Sequence, residues 1–156
     1  GKQGRIILKM NALQDPAMIE RLYEASQAGV KIDLIVRGIC CLIPGRKYSR
    51  NIRVTRIVDT FLEHARVWYF GNGGKPKLFL GSPDWMRRNL YRRIEAVTPI
   101  LDPDLKRELS DMLSIQLSDK RKACFVDDHL RNRWKSARPQ KEKIRSQYTF
   151  YEYLKG

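Results

Sequence analysis

The amino-acid sequence predicts an α/β domain in which helices flank a mixed, largely parallel sheet. Short apolar runs of strand length alternate with segments whose apolar residues recur at helical spacing, which is the pattern of an α/β fold. The 156 residues are enough to bury one core, and we take residues 1–156 as a single domain. No apolar run in the sequence approaches the roughly 18 residues that a membrane span requires.

Residues 5–38 predict a βαβ unit. Arg5 to Met10 is a short, isoleucine-rich apolar run of the kind that forms buried strands. Asp15 followed by Pro16 is typical of a helix start, Gly29 of a helix end, and Lys31 to Val36 predicts the second strand. Because a helical crossover joins them, the two strands are expected to lie parallel, with ligands gathering at their carboxyl ends.

Three polar or basic residues fall at this expected ligand-binding end. Lys9 and Asn11 come at the end of the first strand, and Arg37 follows the second. For Lys9 and Arg37, the strand-end position is explained equally well by ligand binding and by simple exposure to solvent.

The next segment predicts a loop and then a helical turn. Cys40 to Arg53 contains a Pro-Gly pair and is long enough to form a lid or a docking surface. Apolar residues then recur at helical spacing at Ile57, Val58, Phe61 and Leu62.

His64 is one of only two histidines and lies just before a strand predicted over Ala65 to Phe70, with Arg66 two residues after it. A histidine at such a junction can donate a proton, contact a phosphate or act as a nucleophile. A purely structural histidine is the alternative.

A hairpin and a glycine-containing turn come next. Residues 71–74 are typical of a turn, and Lys77 to Leu80 predicts a strand paired with the preceding one. In the turn that follows, Gly81 would let the backbone approach an anion and the Ser82 hydroxyl could donate to it, although a plain strand-to-helix turn explains the same residues. Ile94 to Val97 predicts a further strand.

Four arginines precede this strand, and guanidinium groups suit bidentate contact with phosphate oxygens. They are Arg87, Arg88, Arg92 and Arg93. Asp102 and Pro103 mark the start of a core helix, and Lys122 to Val126 predicts a short strand. A terminal amphipathic helix is expected to pack on the body through Ile144, Tyr148, Tyr151 and Leu154.

The chain is strongly basic, with 31 Lys and Arg residues against 17 Asp and Glu residues and a formal net charge of +14. This charge indicates a polyanionic partner such as nucleic acid, anionic lipid or phosphate chains, although a merely solvated basic surface has the same composition. The basic run Arg131 to Arg145 could bind nucleic acid, but the helical spacing of the aromatic residues after it favours packing. The three cysteines lack metal-ligand spacing and predict reduced thiols in the cytoplasm.

Several motifs together resemble the C-terminal domain of polyphosphate kinases, over essentially the whole chain. They are RIILKMNAL, KIDLIVRGICCLIPG, IVDTFLEHARVWYF, LGSPDW, RRIEAVTPILDP and the YEYL ending. The resemblance implies a phospholipase D-like α/β sandwich. The triplet His64-Ala65-Arg66 resembles the His-x-Lys signature of that superfamily with arginine in place of lysine, and Gly81-Ser82 resembles its Gly-Ser.

The resemblance also implies which residues bind ATP. The family's arginine and histidine at the ATP phosphates match Arg37 and His64 here, and His64 would protonate a leaving oxygen or hold the γ-phosphate. The further phosphate contacts expected on the same basis are Lys9, Asn11, Arg66, Ser82 and Arg93.

The implied reaction is reversible transfer of the terminal phosphate of ATP to long-chain polyphosphate through a phosphohistidine. The nucleophilic histidine and the ligands of Mg²⁺ are expected in an upstream domain, so this chain alone should be inactive. The implied partners are ATP, ADP, inorganic polyphosphate, the upstream domains of the same chain and further copies in a homo-oligomer, with no specific nucleic acid. A cytoplasmic location with peripheral membrane association is expected. A phospholipase D-like phosphodiesterase or nuclease and a basic nucleic-acid-binding module are the alternatives.

Overall fold

The computed structural model describes residues 4–135 and 144–156, in which eight strands form one sheet of order β6-β5-β4-β1-β2-β3-β7-β8. The strands are β1 (Arg5–Met10), β2 (Lys31–Val36), β3 (Ile52–Ile57), β4 (Arg66–Phe70), β5 (Lys77–Gly81), β6 (Val97–Ile100), β7 (Ala123–Val126) and β8 (Asn132–Trp134). The helices are α1 (Pro16–Gln27), α2 (Arg87–Arg92), α3 (Pro103–Ser118) and α4 (Ser146–Lys155).

The βαβ unit forms as predicted, because β1 and β2 have the expected bounds and pair in parallel. The Asp15 carboxylate caps α1 by accepting a hydrogen bond from the Met18 amide at 3.1 Å, and Pro16 occupies the first turn. Gly29 follows the helix with φ of +89°, a conformation that favours glycine.

The mixed α/β architecture is confirmed, but the expectation of a largely parallel sheet is wrong. Among the eight described strands only β1–β2 and β2–β3 are parallel, and the other five neighbouring pairs are antiparallel. Short turns join β4 to β5 and β7 to β8, and such turns connect only antiparallel strands. The parallel pairs therefore form the centre of the sheet.

Two predictions of local structure are wrong. The expected helical turn is absent from this described part of the chain, because Ile57 ends β3 and residues 58–65 form a loop. A distant side chain holds this loop, since the Phe61 amide donates to Oε1 of Gln147 at 2.8 Å. The strand predicted at Ile94 begins instead at Val97, which pairs with Gly81, and Ile94 is fully exposed.

The terminal helix α4 forms, but the packing predicted for it is wrong. Its first turn packs on the body through Ser146 and Gln147, which are buried, and Phe150 contacts the core. The residues predicted to pack are instead at least 40% exposed: Ile144, Tyr148, Tyr151 and Leu154. Residues 136–143 of the predicted basic run lie outside the described residues.

The sheet buries a core on each face. One face packs on α1 through residues such as Leu8 and Leu34, and the other packs on α3 through Ile35 and Leu113. No helix among the described residues combines the length and the apolarity needed to cross a membrane.

Candidate functional site

The predicted ligand end of the sheet is built from three segments. Lys9 and Asn11 lie at the end of β1, and Arg37 follows β2. The loop of residues 58–65 carries His64 to this end, because β4 runs antiparallel to β1 and so begins where β1 stops. The turn between β5 and α2 contributes Asp84, which lies beside the end of β1.

Asp84 is buried at the centre of the site's hydrogen bonds, with only 6% of its surface exposed. Its Oδ1 accepts hydrogen bonds from the backbone amides of Asn11 at 2.7 Å and Ala12 at 3.1 Å. Arg66 donates to the same carboxylate from Nε at 3.3 Å and from Nη2 at 3.0 Å. Burial by itself would raise the pKa of Asp84, but the hydrogen bonds from Arg66 and the two amides outweigh it and lower the pKa.

Arg66 also fixes the imidazole of His64. Its Nη1 lies 3.1 Å from His64 Nδ1 and donates to the His64 carbonyl at 3.0 Å. Because a guanidinium has donors and no acceptor, Nδ1 must accept, and the proton of the neutral ring is then on Nε2. The His64 side chain is exposed, so its Nε2–H is available as a donor to an anion.

Arg37 is oriented by the same cluster. Its Nε donates to Oδ1 of Asn11 at 3.0 Å, and the Asn11 side-chain amide donates to the His64 carbonyl at 3.5 Å. Within residues 4–135 and 144–156 no carboxylate forms an ion pair with Arg37. Its two terminal amino groups are therefore available for a bidentate contact with phosphate oxygens.

Lys9 is not presented to solvent, because it is 3% exposed and its ammonium lies 2.9 Å from Oε2 of Glu63. Gln116 of α3 donates to the same oxygen at 2.7 Å, and Gln147 of α4 donates to Oε1 at 3.3 Å. Two helices and a buried lysine thus fix the residue immediately before His64.

Ser82 and Arg93 lie to one side of this cluster. The Ser82 hydroxyl donates to the Glu95 carboxylate and accepts from the Ala96 amide at 3.0 Å. Hydrogen bonds from Ser82 and Asn89 lower the pKa of Glu95, and the positive charge of Arg93 adds to the effect. Ser82 thus has a hydrogen-bonding partner within the protein. The structure brings five of the predicted residues together, namely Lys9, Asn11, Arg37, His64 and Arg66.

Sequence reasoning missed Glu63, Asp84, Gln116 and Gln147. Asp84 stood within the singled-out LGSPDW motif, and Glu63 precedes His64, so both carried a local signal. The two glutamines carried none, because the contacts of Gln116 and Gln147 with Glu63 span 53 and 84 residues of sequence.

The carboxylates at this end of the sheet do not fit a divalent cation. Glu63 is bound by Lys9, and Asp84 is bound by Arg66, so neither retains an unpaired negative charge. Across the described ranges no three His, Cys, Asp or Glu side chains group as metal ligands. These two carboxylates are therefore not expected to be ligands of Mg²⁺.

Known proteins resemble the chain in sequence over most of its length. The sequence model of the family described as "Polyphosphate kinase C-terminal domain 2" matches residues 1–147. The polyphosphate kinase of Synechocystis sp. is 57% identical over 124 residues, which are 79% of this chain and 17% of that protein. The polyphosphate kinase of Escherichia coli is 47% identical over 157 aligned positions, covering 100% of this chain and 23% of that protein. The chain thus spans 17% to 23% of these relatives.

Solved structures resemble it as well. The crystal structure of polyphosphate kinase from Porphyromonas gingivalis superposes with a TM-score of 0.96 at 58% identity, over 100% of this chain and 24% of that one. A phospholipase D family member, Nuc from Salmonella typhimurium, superposes with a TM-score of 0.56 at 17% identity, over 72% of this chain and 77% of that one. The second likeness establishes the fold and confirms the phospholipase D-like class.

Proposed function

The chain belongs to the polyphosphate kinase family, and on that premise we propose that its carboxyl-end cluster binds the phosphates of ATP during polyphosphate synthesis. In the proposed reaction a histidine of an upstream domain attacks the γ-phosphorus of ATP and ADP leaves. The phosphoryl group then passes from that histidine to the terminal oxygen of a polyphosphate chain, and the histidine is released. ATP, ADP and the chain are the proposed substrates and products.

One observation carries this proposal: the Nε2–H of His64 and the guanidinium of Arg37 are both oriented at the same end of the sheet. Arg66 fixes the His64 ring through Nδ1, and Asn11 accepts from Arg37 while donating to the His64 carbonyl. Phosphoryl transfer depends mainly on positioning and on neutralising charge at the phosphate oxygens. A fixed cation and a fixed neutral donor supply both functions. Arg37 would clamp two phosphate oxygens, and His64 would donate one hydrogen bond.

The geometry favours His64 as a ligand of the γ-phosphate over His64 as a proton donor. Because Nδ1 accepts from Arg66, full transfer of the Nε2 proton would leave an imidazole without any proton. Arg66 and Lys9 act in this proposal as positioning residues, since the carboxylates of Asp84 and Glu63 already bind them. Direct phosphate contacts by Ser82 and Arg93 stay predictions.

The test is ATP binding measured by calorimetry on the 156-residue chain and on three single variants of it. We expect Arg37→Lys and His64→Gln each to weaken binding about tenfold, because the first loses the bidentate fork and the second the oriented ring donor. His129→Gln is the matched control, since His129 is the other histidine and is exposed in the turn between β7 and β8. Equal affinity for ATP in all the variants would contradict the proposal.

The alternative functions are less well supported. Arg66 argues against a phospholipase D-like phosphodiesterase, because it replaces the lysine of the His-x-Lys signature and is bound to a buried carboxylate. The nucleic-acid-binding alternative rests on a basic segment in which Arg131 and Arg133 both pair with Asp127. The homo-oligomer, the cytoplasmic location and the peripheral membrane association stay predictions.

A further inference from the structure

A basic cavity lies at the end of the sheet opposite the candidate site, where the parallel strands begin. It encloses ≈ 360 Å³ and we call it the amino-end pocket. The charged residues lining it are Arg5, Lys31, Asp33, Arg50 and Arg53. Four cations thus surround one carboxylate, and the function proposed above uses none of them.

The charges of the amino-end pocket are only partly balanced. Asp33 is buried and pairs with Arg5, whose side chain is 38% exposed. Lys31, Arg50 and Arg53 are exposed, and within the described part of the chain none of them forms an ion pair. The Arg53 guanidinium lies 5.4 Å from the centroid of the Phe125 ring, which restricts its orientation.

We propose that the amino-end pocket is a second binding site for an inorganic polyphosphate chain, distinct from the site that binds ATP. The proposal rests on the proposed function, because it assigns this pocket to the polymeric substrate of the same reaction. A chain held here would remain attached to the protein while its end is extended or shortened elsewhere.

The lining favours a phosphate chain over a nucleic acid. Proteins that bind single-stranded nucleic acids place aromatic side chains where bases can stack, and the residues lining this pocket include no aromatic ring. The neighbouring Phe125 ring is covered by Arg53 and Lys135. Ile32, Asn51 and Ile52 complete the lining, so the exposed cations are its main source of binding energy. Repeated phosphates without bases match such a surface.

The distance between the two sites implies a dependence on chain length. Lys31 begins β2 and Arg37 follows its end, so about six strand residues at roughly 3.3 Å each separate the sites by about 20 Å. A long polyphosphate chain can contact both sites at once, whereas ATP or tripolyphosphate can occupy only one. Linked binding of this kind can raise affinity over a single site by as much as about 10²- to 10⁴-fold, and by less when the linking chain is flexible.

The experiment compares a triple variant of the pocket with a control of equal charge. The triple variant is Lys31→Gln, Arg50→Gln and Arg53→Gln, and the control is Lys75→Gln, Lys120→Gln and Lys155→Gln, which are exposed and scattered over the surface. We expect the pocket variant to bind long-chain polyphosphate at least about tenfold more weakly than the control does, with a smaller salt dependence. Its affinity for ATP and its melting temperature should match those of the control.

Two outcomes would overturn the proposal. Equal affinity of the pocket variant and the control for long chains would show that only total charge matters. An equal loss of affinity for single-stranded DNA would show a general polyanion surface instead of a polyphosphate site. A failure of the proposed ATP site can be told apart from a failure of the amino-end pocket. In the first case Arg37→Lys would bind ATP as tightly as the wild-type chain, whatever the affinity of the pocket variant for polyphosphate.

Discussion

Removal of the Asp84 carboxylate should destabilise the chain more than the loss of an ordinary surface charge. Asp84 is 6% exposed, and it accepts two hydrogen bonds from backbone amides and two from Arg66. In Asp84→Ala the Arg66 guanidinium, whose side chain is 13% exposed, loses its counter-charge. Loss of one partner from a buried ion pair costs about 3–5 kcal/mol. Four charged hydrogen bonds counted separately, at about 1.5–3 kcal/mol each, would overestimate the effect, because the released groups partly regain water.

Urea denaturation at pH 7 measures this cost, and a double-mutant cycle assigns it to the pair. Arg66→Met alone should cost less, because Asp84 keeps its two amide donors. The double variant should then be at least about 1 kcal/mol more stable than the two single costs predict. If Asp84→Ala proves too unstable to purify, Asp84→Asn retains an acceptor for the amides and tests the same charge. A cost below about 1 kcal/mol, or strict additivity, would refute the reasoning.

The pKa of Asp84 adds an acid-side signature. Because its folded-state pKa lies below the unfolded value of about 3.9, its contribution is fully present above about pH 4. That contribution is lost as the pH falls through the folded-state pKa. The difference in stability between the wild-type chain and Asp84→Asn should therefore shrink below pH 4, and a constant difference would contradict the assignment.

Other contacts give three further predictions. His64 is exposed, so His64→Ala should change the free energy of unfolding by no more than about 0.5 kcal/mol in urea, and a larger loss would make the residue structural. Burial alone would raise the pKa of Asp119, but hydrogen bonds, above all from the Ser146 amide, outweigh burial and lower the pKa. Because the Asp119 carboxylate holds the first residue of α4, Asp119→Ala should speed amide hydrogen exchange in α4 above about pH 4. Exchange unchanged from that of wild type would argue against this link. The chain alone should form no polyphosphate from ATP and Mg²⁺, because its second histidine, His129, lies at the other end of the sheet; sustained synthesis would contradict this.

The local parts of the fold were predictable because local chemistry determines them. Asp15 and Pro16 specify where α1 begins, and the short apolar runs of β1 and β2 are typical of buried strands. The helical spacing around Phe61 gave a wrong prediction because a contact with Gln147, 86 residues away, holds that segment as a loop. Spacing within a short window carries no information on such contacts.

The candidate site was predictable in position but not in internal structure. Parallel strands bring Lys9 and Arg37 to one end, which the βαβ pattern alone indicates. Whether each cation is available to a ligand depends on whether a carboxylate of the protein already pairs with it. Among the described residues Lys9 pairs with Glu63 across the fold, whereas the Arg37 side chain donates to the neutral Asn11. No sequence pattern distinguishes these two outcomes.

The two outermost strands of the described sheet have a consequence for how the protein behaves in concentrated solution. An exposed strand invites a second molecule to extend the sheet, which is a common route to aggregation. On one side β6 is only four residues long and contains Pro99, which has no amide hydrogen to offer to an incoming strand. On the other side β8 has three residues, with a charged arginine, Arg133, at its centre. One outer strand therefore lacks an amide hydrogen and the other is short and charged, and replacing Pro99 with valine should make the protein more prone to self-association.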